Sequence, residues 1–141
     1  MRRTLAGVVG LGAALIVATL SLRGAAGVDG HVPKTYLVKV SGKPDAAAIA
    51  RLRAGVTIEL DDGRRVKTSP ASIQLVEDAA NPWYEVVLIE GRNRQIRRMF
   101  DRVAFRVEKI RRTKIGPLTL DLEPGKYRAL TVREVAQLKA L

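Results

Sequence analysis

Apolar and polar residues alternate along Thr35-Tyr-Leu-Val-Lys-Val40, and a period of two marks a strand. The period then changes. Pro44 and Asp45 open a short alanine-rich helix through Arg53, with Ile49 and Leu52 facing inward and Gly55 just past its end as a stop. Val56–Leu60 is a second strand. Asp61-Asp62-Gly63 follows as a turn, because Asp-Gly supplies the positive φ that a hairpin needs. Ser72–Glu77 and Trp83–Glu90 read as further strands, separated by Asn81-Pro82. Asn93 is placed to cap a helix running to about Phe105. Ile96, Met99, Phe100 and Val103 form its apolar stripe, and Arg94, Arg98 and Arg102 fall on another face. Val107–Thr113 returns as a strand and Gly116-Pro117 turns the chain. Thr131-Val-Arg-Glu134 is a capping box that opens a last helix, with Val135 and Leu138 as its buried side. Short helices set among strands predict an α+β domain with a mixed, largely antiparallel sheet.

Before these elements lies a segment of different character. Thr4–Leu22 carries no charge, and nine of its nineteen residues are Leu, Ile or Val. Met1-Arg-Arg3 precedes it and Ala25-Ala-Gly27 follows. That order suits a signal peptide or a membrane anchor. It equally suits a buried helix, or a stretch read in a shifted frame.

Composition narrows the chemistry. The chain has 141 residues, 25 basic and 14 acidic, with net charge +11, one His and no Cys. A disulfide framework, a thiolate metal site and a cysteine nucleophile are excluded. A histidine-based metal site or triad could be built only around His31. The excess of positive charge points to a polyanion. It is local: Gly91–Lys114 holds ten basic residues against Asp101 and Glu108, and the rest of 24–141 is neutral. A local excess argues for a binding surface better than a diffuse one does.

The densest part is Gly91-Arg-Asn-Arg-Gln-Ile-Arg-Arg-Met99. A strand ends, a glycine turns the chain, and a helix begins among four arginines. Helix N-termini and arginine forks both favour phosphate. The alternative is a solvated basic face above a core formed by Ile96 and Met99.

This nonapeptide resembles the C-terminal motif of the RsuA-type bacterial ribosomal RNA pseudouridine synthases. Val32-Pro-Lys-Thr-Tyr-Leu-Val-Lys-Val40 is similar to that family's tyrosine-bearing strand. Leu52-Arg-Ala-Gly-Val56, Asn81-Pro-Trp-Tyr-Glu85, Ile115-Gly-Pro-Leu118 and Pro124-Gly-Lys-Tyr-Arg128 follow in the family's order. The resemblance implies a pseudouridine synthase-like fold, present here as the C-terminal part of the catalytic domain. It implies an isomerase that flips uridine out of RNA, breaks its N1–C1′ bond and rejoins the ring through C5, with no cofactor. Tyr36 would stack on the flipped base, Arg97 would pair with a catalytic aspartate, and Ile110 would lie near the pocket floor. Arg92, Arg94, Arg98, Arg102, Arg111 and Arg112 would serve the RNA.

Departures from the family pattern matter. The catalytic aspartate belongs to a Gly-Arg-Leu-Asp segment ahead of the tyrosine strand, and no such segment occurs here. Asp29 is the only acid before residue 45, and it sits in Val-Asp-Gly without that context. Ala104-Phe105 stands where the family usually has a Gly-His-like pair. The sequence therefore divides into 1–30, a non-family apolar segment, and 31–141, the family part. The expected protein is a monomeric, cytoplasmic pseudouridine synthase family member acting on ribosomal RNA, truncated and lacking its aspartate. A catalytically inactive RNA-binding remnant, or a basic domain attached to a membrane through residues 4–22, are the alternatives.

Overall fold

The computed structural model describes residues 31–141. The apolar segment 1–30, Asp29 included, lies outside the described residues. No helix among the described residues is long and apolar enough to cross a membrane. The described chain divides into two compact units, residues 33–113 and residues 114–141 with His31 and Val32.

In the first unit, strands run in the order β4-β5-β1-β6. They are β1 (Lys34–Ser41), β4 (Ser72–Glu77), β5 (Trp83–Leu88) and β6 (Arg106–Ile115). β5 pairs antiparallel with β1, placing Tyr36 opposite Val86 and Val38 opposite Tyr84. Alternation decides which side chains enter the core. Val38, Val40, Tyr84, Val86 and Leu88 are buried. β4 buries only Ile73, as suits an edge strand, and its register slips between Leu75 and Glu77.

Helix α1 (Ala46–Ala54) begins where Asp45 accepts a hydrogen bond from the Ala48 amide, 2.7 Å. Ala48, Ile49 and Leu52 are its buried side. Gly55 ends it at φ +96°, where an added Cβ would lie 2.2 Å from the Thr68 carbonyl oxygen. Only glycine fits that approach. β2 (Thr57–Glu59) and β3 (Arg65–Lys67) make the hairpin across Asp61-Asp62-Gly63, and Ile58 anchors it in the core shared with both helices of this unit.

Helix α2 (Gln95–Asp101) buries Ile96, Met99 and Phe100, and Val103 just beyond, as the periodicity predicts. Its two ends differ from the sequence expectation. Asn93 does not cap it. Arg94 holds the N-cap position in the left-handed region at φ 52°, with no side-chain cap. A side-chain cap needs extended backbone at that position, and the Asn93 amide instead donates to Asp61 Oδ2 at 2.9 Å. The helix also stops at Asp101 rather than reaching Phe105. The Phe105 amide donates back to the Phe100 carbonyl and the Ala104 amide to the Asp101 carbonyl. This is a Schellman turn with Ala104 at its left-handed position, φ 63°. That conformation favours glycine. Ala104→Gly should stabilise this unit by about 0.5–1 kcal/mol, the left-handed penalty less glycine's unfolded-state entropy. Urea unfolding checks it; a lower midpoint would contradict the strain.

In the second unit, Lys114 and Ile115 pair with β7 (Leu118–Thr119) across Gly116. Ile115, Leu118 and Leu138 form a small core with Leu120 and Leu130. Helix α3 (Val132–Lys139) has the expected capping box between Thr131 and Glu134. Val135, expected to be buried, is only half-buried, and Leu138 alone is buried. A core of three buried residues is too small to cover a second helical position.

Arg128 straps this unit together. Its guanidinium donates to both Glu134 oxygens, at 2.7 and 2.8 Å, and to Asp121. Chiefly through Arg128, against a cost from burial, the Glu134 carboxyl is held down to about 2. A depressed carboxylate stabilises above its unfolded pKa and loses that stabilisation as pH falls through its folded pKa. Stability of residues 114–141 should therefore decline between about pH 4.5 and about pH 2, by about 1 kcal/mol for a partly exposed pair. Glu134→Gln should flatten that decline in acid unfolding followed by circular dichroism. An unchanged slope would place the pH dependence elsewhere.

Candidate nucleic-acid interface

The turn from β5 into α2 forms one wall of a cavity of about 370 Å³ within the first unit. β1 contributes Tyr36, β6 contributes Ile110 and Arg112, and the turn and helix contribute Arg92, Arg94 and Arg97. All three residues expected to support chemistry, Tyr36, Arg97 and Ile110, line this one space. Of the six expected to meet RNA, Arg92, Arg94 and Arg112 line it.

The other three do not. Arg98 donates to Asp61 and to the Glu59 carbonyl, so its charge ties α2 to the β2–β3 hairpin. Asp61, fully exposed, is lowered below the usual carboxylate range by its hydrogen bonds from Asn93 and then Arg98. Arg102 and Arg111 are exposed away from the cavity lining.

The turn is shaped by a polar network that sequence reasoning missed. Glu90, half-buried, accepts from the Ser69 amide at 2.7 Å and from Gln95 Nε2 at 2.6 Å, and it also receives Arg92 Nη1. Gln95 is 3% exposed, and its Oε1 accepts from the Arg92 amide at 3.1 Å. Burial raises the Glu90 pKa, but the donors from Ser69, Gln95 and Arg92 outweigh it and leave it below the usual value. With its lone pairs occupied, Glu90 holds Arg92 on the cavity wall and is poorly placed to act as a base. One signal was available: a glutamine amid arginines on a helix with a complete apolar stripe has a reason to be inside.

Arg97 donates Nη1 to the Val107 carbonyl at 2.9 Å. Among the described residues no carboxylate forms an ion pair with it. Arg112 sits over the Tyr36 ring, 5.2 Å from its centroid. Burial, and then the neighbouring Arg112 charge, lower the Lys34 pKa. The cavity is thus strongly cationic, with one flat aromatic wall. Among the described residues no group of His, Cys, Asp or Glu could hold a metal ion.

A flat ring beside a ring of arginines is chemistry that suits a nucleobase with phosphates around it. Comparison with known proteins narrows this to one family. The chain is 38% identical over 116 residues to ribosomal large subunit pseudouridine synthase E of Vibrio vulnificus, covering 71% of this chain and 47% of that protein. It is 37% identical over 115 residues to ribosomal large subunit pseudouridine synthase B of Bacillus subtilis, covering 79% and 45%. A solved pseudouridylate synthase structure superposes with a TM-score of 0.65 at 33% identity, over 77% of this chain and 45% of that one. No family model matches the chain. By these relatives and by its fold, the chain is similar to one part of the bacterial pseudouridine synthases, and it spans about half the length of the curated relatives it matches.

Proposed function

We propose that this chain carries the base-stacking and arginine-bearing part of a site that isomerises uridine to pseudouridine in ribosomal RNA. Tyr36 supplies the stacking face, Ile110 an apolar edge, and Arg97 the cation that keeps a catalytic aspartate ionised and aimed. Arg94, exposed at the turn, takes a phosphate, and Arg92, held by Glu90, lines the wall beside it. The observation that carries the reading is the convergence of Tyr36, Arg97 and Ile110, distant in sequence, on one cavity. Ribosomal RNA as substrate implies a cytoplasmic site of action.

The aspartate itself is missing from this reading. No Gly-Arg-Leu-Asp segment occurs in the chain, and Arg97 has no carboxylate partner among the described residues. That pairing gap favours a truncated enzyme, or a remnant that binds RNA without acting on it. Incubating the chain with ribosomal RNA and scoring pseudouridine is the test. We expect binding without turnover. Turnover by this chain alone would overturn the truncated reading, and absence of binding would overturn the site.

A further inference from the structure

Arg92 and Arg97 each have a fixed protein partner, the Glu90 carboxylate and the Val107 carbonyl. Arg112 has none of this kind: its Nε is buried and no hydrogen bond reaches it from the described residues. A buried, unmatched donor on a charged group is costly, so proteins seldom leave one without a use. The same guanidinium lies on the Tyr36 ring at 5.2 Å and lines the cavity beside Ile110. Its charge is near enough to Lys34 to lower that residue's pKa, after burial.

We propose that Arg112 is a base-reading residue, whose guanidinium donates a hydrogen bond to a carbonyl oxygen of the pyrimidine held at Tyr36. The proposal deepens the site reading above and rests on it. Arg112 otherwise resembles a phosphate contact, as its place in a basic strand suggests. Three features favour the base. Arg112 is stacked on the aromatic wall where the base is expected, whereas the exposed Arg111 beside it faces solvent. Its donor is sheltered from water, where a hydrogen bond discriminates best. A planar guanidinium and a planar pyrimidine can also share one ring face in a stack, which an ammonium cannot do.

Binding of two ligands of equal charge separates base from backbone: a hexauridylate and an abasic ribose-phosphate hexamer. Arg112→Lys keeps the charge and loses the planar fork. It should weaken hexauridylate binding about tenfold and abasic binding less than about twofold. Equal weakening of both ligands, or of neither, overturns the proposal. Tyr36→Leu is run in parallel with the same two ligands. If Tyr36→Leu removes the preference for hexauridylate while Arg112→Lys does not, Arg112 is not the reader and the site stands. If Tyr36→Leu leaves the preference unchanged, the site reading falls and this proposal with it. Far-ultraviolet circular dichroism of each variant checks that the fold is intact.

Discussion

Phe100→Ala is expected to unfold most of residues 33–113. Phe100 is 1% exposed and sits 6.3 Å from the Tyr84 ring, joining α2 to the sheet through β5. Removing such a ring costs about 3–5 kcal/mol, the lost transfer energy plus the cavity left behind. A unit of this size has about 4–12 kcal/mol in total. The loss therefore consumes from about a quarter to all of it. α2 also carries Arg97 and Gln95, whose side chain accepts from the Arg92 amide, so the cavity should be lost with the helix. Urea unfolding and tryptophan fluorescence of Trp83 measure it. Phe100→Leu, which keeps most of the volume, should cost only roughly 1–2 kcal/mol by the methylene scale. Equal, small losses from both would show that the ring is not the pin.

That helix shows what a sequence can and cannot disclose. Its apolar stripe was legible because Ile96, Met99, Phe100 and Val103 recur at helical spacing, and burial follows spacing. The Asp45 cap, the Thr131 capping box and the Gly116 turn were legible for the same reason, since each partner lies within a few residues. The start of α2 was not. Whether Asn93 caps or leaves depends on Asp61, 32 residues away. Arg98 likewise finds its acid 37 residues back, and Glu90 finds Ser69 at a separation of 21. Local periodicity carries no record of such pairings. Tyr36, Arg97 and Ile110, which the resemblance singles out, line one cavity, a grouping that local periodicity could not have indicated. The resemblance also implied an acid for Arg97, and the described residues offer none.

The same distinction sets the salt dependence of RNA binding, where charge counting and structure give different numbers. Gly91–Lys114 holds ten cations. If all met phosphate, the slope of log affinity against log salt on a single strand would be about −7. Four are committed inside the protein: Arg92 to Glu90, Arg98 to Asp61, Arg97 to the Val107 carbonyl and Arg112 on Tyr36. Arg94, Arg102, Arg106, Lys109, Arg111 and Lys114 remain exposed. At most six contacts give a slope no steeper than about −4, and affinity should fall by up to about 300-fold between 50 and 200 mM salt. Ten contacts would give a fall of more than about 10,000-fold over the same range. Fluorescence anisotropy with a labelled single-stranded ribosomal RNA fragment separates the two. A slope steeper than about −6 would mean that RNA pulls Arg92, Arg97 and Arg98 away from their protein partners. A slope shallower than about −1 would remove the backbone-binding role from this surface altogether. The intermediate value is the one expected of a basic segment whose charge is divided between holding a cavity in shape and holding a polyanion against it.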